Sequence, residues 1–149
     1  MKEKTLLATA ILLILIGSSF AYTDLSVDQV KAKLDAEEDL ILLDVREPSE
    51  FEGGHIRGAI NRPWTSGVLQ AQYTALPTDK PLIVICRSGA RSEAASIFLD
   101  EKGFDPIFNM LGGMNAWTYE TVPGKEEKTS CEEGGLCGET WGSIKALFR

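Results

Sequence analysis

One cysteine closes a run of apolar residues and is followed at once by guanidinium groups. In PLIVICRSGARS, Cys86 precedes Arg87 and, five positions on, Arg91, with Ser88, Gly89, Ala90 and Ser92 filling the turn. A thiolate is the nucleophilic form of cysteine, and positive potential favours it over the thiol. A short segment between a strand and a helix lets backbone N–H groups converge on the space above the sulfur, with the helix N-terminus behind them. A cysteine that merely packs is common in proteins. Two arginines and a glycine turn are poor company for one, so the segment reads as an anion cradle around a reactive sulfur.

Such a cradle needs a strand before it, a helix after it and neighbours to hold both. Ser26 caps a helix carrying Val27, Val30 and Leu34 at helical spacing, and LILLDV (Leu40 to Val45) reads as a buried strand. A polar turn with Pro48 follows. HIRGAINRP reads as a loop leading into a short strand, and Val68 to Leu76 as a modest helix that stops before Pro77. PLIVIC is the most strand-like stretch. From Ser92 onward, Ala94, Ala95, Phe98 and Leu99 mark a helix that should end at Gly103. PIFNML then reads as another strand and GGMNAW as the start of a short helix. Apolar runs alternating with helices predict an α/β fold, a small mostly parallel sheet covered by helices on both faces. In such sheets ligands gather at the carboxyl ends of the strands, where Cys86 stands.

LLDVREPSEFEGGHIRGAIN, LIVICRSGARS and LGGMNAW occur in that order across Leu25 to Trp117, and together they resemble a single-domain rhodanese, the sulfurtransferase homology domain. The resemblance implies a rhodanese-like fold with the active-site loop between a strand end and a helix N-terminus. It also implies a chemistry: Cys86 accepts a sulfane sulfur as a persulfide and passes it to a thiophilic acceptor, with no metal or organic cofactor. Arginine beside the cysteine, as at Arg87, is associated in the family with thiosulfate or related donors, and the expected donor is thiosulfate or a polysulfide or persulfide. Cyanide, a thiol or a thioredoxin-like protein would each serve as acceptor. The alternative implied by the same family is a non-catalytic binding or regulatory module; the presence of Cys86 in a complete loop favours the enzyme.

The rival chemistry for such a loop is that of a phosphatase or an arsenate reductase, and cysteine phosphatases use Cys-x5-Arg. Cys86 to Arg91 is one residue shorter. A tighter cradle suits the outer sulfur of a persulfide and fits a tetrahedral phosphate poorly. His55 is the single histidine, so loop dipoles and the arginines must activate the cysteine, and the resemblance gives His55 a structural or loop-ordering role. Asp44 and Arg46 are expected to form an internal ion pair or loop anchor. Glu47 and Glu50 are expected to be solvated, Gly112 and Gly113 to serve a tight turn, and Trp117 to pack the core. Ser88 and Ser92 offer hydroxyls to the cradle, and capping of the following helix explains Ser92 equally well.

The two ends of the chain carry different signals. Lys2 and Lys4 precede an apolar run from Leu6 to Ile16, and Ser19-Phe20-Ala21 offers a cleavage site, so residues 1–21 are expected to be a signal peptide. Export to the periplasm or outside the cell follows. The alternative is an uncleaved membrane anchor, since no charge occurs from Thr5 to Thr23. Loss of Lys2, Glu3 and Lys4 with the leader moves the formal net charge from -7 to -8. With no basic cluster to compensate, nucleic acid is excluded as a partner, whereas a small anionic donor is compatible with a local positive pocket.

Residues 22–119 then form the rhodanese-like domain, and residues 120–149 a tail containing Cys131 and Cys137 in CEEGGLC. In an exported chain these two are expected to form a disulfide. A redox pair that relays sulfur or electrons to Cys86 is a second reading. Metal binding is the weakest, because two thiolates make an incomplete site. Trp141, Ile144, Leu147 and Phe148 are spaced for a terminal helical turn with an apolar face.

Overall fold

The computed structural model describes residues 22–125. Its elements run β1 (Tyr22–Leu25), α1 (Val27–Asp35), β2 (Ile41–Asp44), α2 (Pro48–Glu52), β3 (Ile60–Asn61), α3 (Val68–Gln72), a 3₁₀ turn (Tyr73–Ala75), β4 (Leu82–Ile85), α4 (Ala90–Glu101), β5 (Ile107–Met110) and α5 (Gly113–Ala116). The five strands form one sheet in the order β1-β5-β4-β2-β3, and every pairing in it is parallel.

Parallel strands need helical crossovers, and those crossovers cover both faces of the sheet. That is why β4, lying between β5 and β2, is apolar at all four positions and fully buried. Its alternate residues feed two separate cores. Ile83 and Ile85 pack with Leu42, Met110, Val30, Phe51 and Trp117 on one face. Leu82, Val84 and Cys86 pack with Leu43, Leu69, Ala95 and Leu99 on the other. The sulfur of Cys86 therefore belongs to the side covered by α3 and α4.

Local signals set the helix ends. Ser26 caps α1 by accepting the Gln29 N–H at 3.2 Å, while the Gln29 side chain accepts the Ser26 N–H at 2.8 Å, a reciprocal capping box. α4 ends where Gly103 adopts a positive φ of 85°, as its position predicted.

The structure departs from the sequence reading at three places. β1 was not foreseen, because only Leu25 of its four residues is buried and its ladder is completed by β5, far along the chain. The helix expected over Val68 to Leu76 changes to the tighter 3₁₀ geometry after Gln72. α4 starts at Ala90 rather than Ser92, since Gly89 takes φ 108° and turns the chain into the helix within three residues of the cysteine.

Strand order explains where a site can form. β4 leaves through α4 toward β5 on one side, and β2 leaves through α2 toward β3 on the other. The two connections diverge above the carboxyl ends of adjacent strands and leave a crevice between them. Cys86 lies at one lip of that crevice and the segment from Asp44 to Glu52 at the other.

Candidate active site

Cys86 sits at the base of a cup, with 1% of its surface exposed. The Gly89 N–H donates to its Sγ at 3.1 Å, and the Ser92 hydroxyl lies 3.3 Å from the same atom. Burial by itself pushes the thiol pKa up. The Ser92 hydroxyl and the backbone N–H groups of Ser92, Gly89 and Ser88 outweigh it and hold the thiol below its ordinary value. The cradle inferred from the residue types is thus made of loop and first-turn amides, with one hydroxyl added.

Amides can point at the sulfur only if the loop's carbonyls point elsewhere, and α5 provides for this. Its N–H groups at Met114 and Asn115 donate to the carbonyls of Cys86 and Arg87 at 2.8 and 2.9 Å. So close an approach requires glycine. A Cβ on Gly113 would lie 2.4 Å from the Cys86 carbonyl oxygen and 2.6 Å from the Arg87 carbonyl carbon, and its φ is 56°. Gly113 is thus more than a turn former: it seats the short helix against the loop.

The arginines divide into three roles. Arg87 is exposed at the rim of the cup. It borders a depression of about 460 Å³ that Ser49, Gly54, Met114 and Asn115 also line. Arg91 is half-buried, and its guanidinium is turned to Glu50, with Nη1 to Oε2 and Nη2 to Oε1 both at 2.8 Å. The sequence leads one to expect a solvated Glu50, and the structure corrects this: its side chain is only 29% exposed and is clamped across the crevice. The Arg91 hydrogen bonds hold the Glu50 carboxyl below the usual carboxylate value against an opposing push from burial. Glu50 in turn keeps Arg91 firmly charged, with a smaller contribution from the nearby Cys86 sulfur.

Arg46 serves as an anchor. Its Nε and Nη2 meet the Asp44 carboxylate at 3.0 and 2.7 Å, and its remaining N–H groups reach the carbonyls of Glu50 and Gly54 at 3.2 and 2.9 Å. One buried ion pair thereby ties the end of β2 to the length of α2. Asn61 braces the same turn by donating to the carbonyls of Asp44 and Arg46. His55 is buried, stacked on Phe51 at 3.7 Å between ring centroids, with Nδ1 3.0 Å from the Phe51 carbonyl oxygen. Its backbone exchanges hydrogen bonds with Val122, so the chain beyond Tyr119 still pairs with the domain. These contacts order the α2 loop and lie apart from the cup.

Of the other loop residues, Ser88 and Ala90 are exposed and Gly89 is half-buried. Ser92 is fully buried and does not cap α4, whose N-cap is Gly89. Its hydroxyl faces Cys86 and also Asn109 on β5, at 2.6 Å. Asn109 was missed by the sequence reading, although one polar residue inside PIFNML was a visible signal. Cys131, Cys137 and residues 1–21 lie outside the described residues.

A family model described as a Rhodanese-like domain matches residues 26–120. The chain belongs to the rhodanese-like family. This rhodanese-like chain is 40% identical over 100 residues to a putative sulfurtransferase, YtwF, of Bacillus subtilis, covering 67% of this chain and 94% of that one. It is 35% identical over 100 residues to the thiosulfate sulfurtransferase GlpE of Shewanella oneidensis, with 67% and 94% covered. To the putative sulfur carrier protein YrkF of Bacillus subtilis it is 36% identical over 98 residues, which is 66% of this chain and 52% of that one. Among solved structures, a rhodanese-related protein from Thermoplasma volcanium superposes with a TM-score of 0.61 at 33% identity, over 68% of this chain and 98% of the other.

Proposed function

We propose that this protein is a sulfurtransferase that moves a sulfane sulfur from thiosulfate, or from a polysulfide or persulfide donor, to a thiophilic acceptor through a persulfide on Cys86. The observation that carries this reading is the convergence of loop and first-turn amides on a buried sulfur whose thiol is held below its ordinary pKa. Relatives named as sulfurtransferases support the same class.

The steps follow from the cup. The Cys86 thiolate attacks the terminal sulfur of thiosulfate, a new S–S bond forms, the donor's own S–S bond breaks, and sulfite leaves with the electron pair. The persulfide's outer sulfur then carries the negative charge, and the amides of the cup are its natural partners. An acceptor nucleophile (cyanide, a thiol or a thioredoxin-like protein) attacks that outer sulfur, and the Cys86 thiolate departs. Arg87, exposed at the rim, is suited to steer an anionic donor toward the buried sulfur.

Export is part of the proposal. It rests on the Lys-flanked apolar run and on Ser19-Phe20-Ala21, and cleavage after Ala21 would leave all four residues of β1 in place. In that compartment Cys131 and Cys137 would form a disulfide in the tail, leaving Cys86 as the reactive thiol. Mass spectrometry of the purified chain after exposure to thiosulfate tests the core claim. Cys86 should gain one sulfur atom, and the Cys86→Ser variant none; sulfur found on Cys131 or Cys137 instead would overturn the assignment. A thiol titration of the untreated, secreted protein should count one reactive cysteine.

A further inference from the structure

A hydroxyl has one proton to donate. Around the Ser92 Oγ stand three acceptors: the Cys86 Sγ at 3.3 Å, the Gly89 carbonyl at 2.9 Å and the Asn109 Oδ1 at 2.6 Å. They do not compete equally. The Gly89 carbonyl already accepts the Glu93 N–H of α4 at 2.9 Å. Asn109 is only 2% exposed, and among the described residues its Oδ1 has no donor but Ser92.

The asparagine's orientation is fixed from its far side. Asp24, its register partner on β1, is 2.8 Å from Nδ2. A carboxylate only accepts, so the amide must turn its NH₂ group to Asp24 and its oxygen to Ser92. While Cys86 is a thiol the chain is fully satisfied in one direction: S–H to Ser92 Oγ, Ser92 O–H to Asn109 Oδ1, Asn109 N–H to Asp24.

We propose that Asn109 is a positioning residue that competes with the Cys86 thiolate for the Ser92 proton and thereby sets the acidity and nucleophilicity of the sulfur. When the thiol proton is lost to solvent, the Ser92 hydroxyl keeps its own proton but rotates to donate it to the thiolate. Asn109 Oδ1 is then left buried without a donor, which disfavours the thiolate. Without that opposition the thiolate would be more abundant but a weaker nucleophile, since nucleophilicity falls with thiol pKa. In the persulfide, Sγ is a neutral, weakly accepting sulfur, and the hydroxyl returns to Asn109. Departure of the acceptor-bound sulfur brings it back to Sγ, so Ser92 switches once per half-reaction.

The charged groups on the elements that build the cup include Arg87 of the loop, Arg91 and Glu93 of α4, Glu47 and Glu50 at the start of α2, the Asp44–Arg46 pair at the end of β2, and Asp24 of β1. Asn109→Leu changes none of them. The proposal rests on Cys86 as the reacting cysteine, but its test needs no sulfur donor. The thiol pKa is read from thiolate ultraviolet absorbance across pH on the full chain, with the Cys86→Ser chain as blank. Asn109→Leu should lower it by about one unit, the scale of one hydrogen bond, whereas a merely structural loosening of the cup would raise it. Ser92→Ala should raise it, and adding Asn109→Leu to Ser92→Ala should then move it no further. A rise or no change in Asn109→Leu, or a fall that persists without Ser92, overturns the proposal. Should Asn109→Leu fail to fold, Asp24→Ala at the exposed end of the chain of hydrogen bonds decides. It frees the amide to turn its NH₂ group toward Ser92, so the pKa should fall, and that fall should vanish in Ser92→Ala; a purely coulombic effect of Asp24 would survive there and overturn the proposal. Expected titrations with no persulfide in the thiosulfate experiment would instead refute the sulfur-transfer reading alone.

Discussion

Arg91 and Glu50 meet in a two-pronged ion pair, 2.8 Å at each prong, although 41 positions separate them in the chain. The pair joins the first turn of α4 to α2 across the crevice in which Cys86 lies, so the arginine that looks in sequence like a substrate ligand is largely committed to holding the cup together. Its charge still reaches the sulfur, but as part of a neutral clamp.

This pair sets a pH dependence with a definite sign. The Glu50 carboxyl is held below its usual value, so its contribution to stability is fully present above the unfolded carboxylate pKa of about 4.3 and is lost as pH falls through the lower folded value. Glu50→Gln should therefore cost about 1 kcal/mol in urea unfolding at neutral pH, in keeping with a pair that is partly buried but still reached by water. The difference from the parent should shrink on acidification. A difference that stays constant across that range would mean the carboxylate charge is not what matters.

Cys86 should react with iodoacetamide below pH ~8.5 faster than a free thiol of that pKa. The folded thiol is held below its ordinary value, so the excess of thiolate exists between that lowered pKa and about 8.5 and disappears above it. Labelling rates measured against pH, with Cys86→Ser as the blank, check this directly. A profile that follows an ordinary thiol would remove the electrostatic basis of the cup.

Two glycines with similar backbone angles should respond very differently to alanine. At Gly67, with φ 78°, an added Cβ meets nothing within 4 Å, so Gly67→Ala should cost only the left-handed strain of about 1–2 kcal/mol. At Gly113 the Cβ collides with the backbone of Cys86 and Arg87. Gly113→Ala should cost more in stability and should also slow sulfur uptake at least tenfold, because the carbonyls that α5 holds aside are those of the reactive loop. Thermal unfolding and single-turnover persulfide formation, measured on both variants, separate strain from displacement.

Asp44→Ala should be among the most damaging substitutions outside the cup. Asp44 is fully buried, and Arg46, 6% exposed, would be left with its charge uncompensated. Breaking one side of a buried pair typically costs about 3–5 kcal/mol. Denaturant unfolding gives the number, and a loss under about 1 kcal/mol would show that Arg46 finds water once its partner is gone.

Much of this architecture is legible in local pattern. LILLDV and PLIVIC read as central strands because a parallel strand covered on both faces must be apolar at nearly every position, and β2 and β4 are neighbours there. Cys86 could be placed at a strand's carboxyl end, and glycine, serine and arginine after it read as a cradle, because one short segment supplies both the amides and the sulfur they serve. Tertiary structure decided everything that depends on strand order. Glu50 faces Arg91 only because β2 lies beside β4, and Asn109 meets Asp24 only because β5 pairs with β1. Neither partner choice leaves a periodic trace, since a single polar residue looks the same whether it faces solvent or a buried hydroxyl. Gly113 reads as a turn residue for the same reason: its contact with the Cys86 carbonyl comes from α5 folding back over the loop, a distance in space that no spacing along the chain encodes.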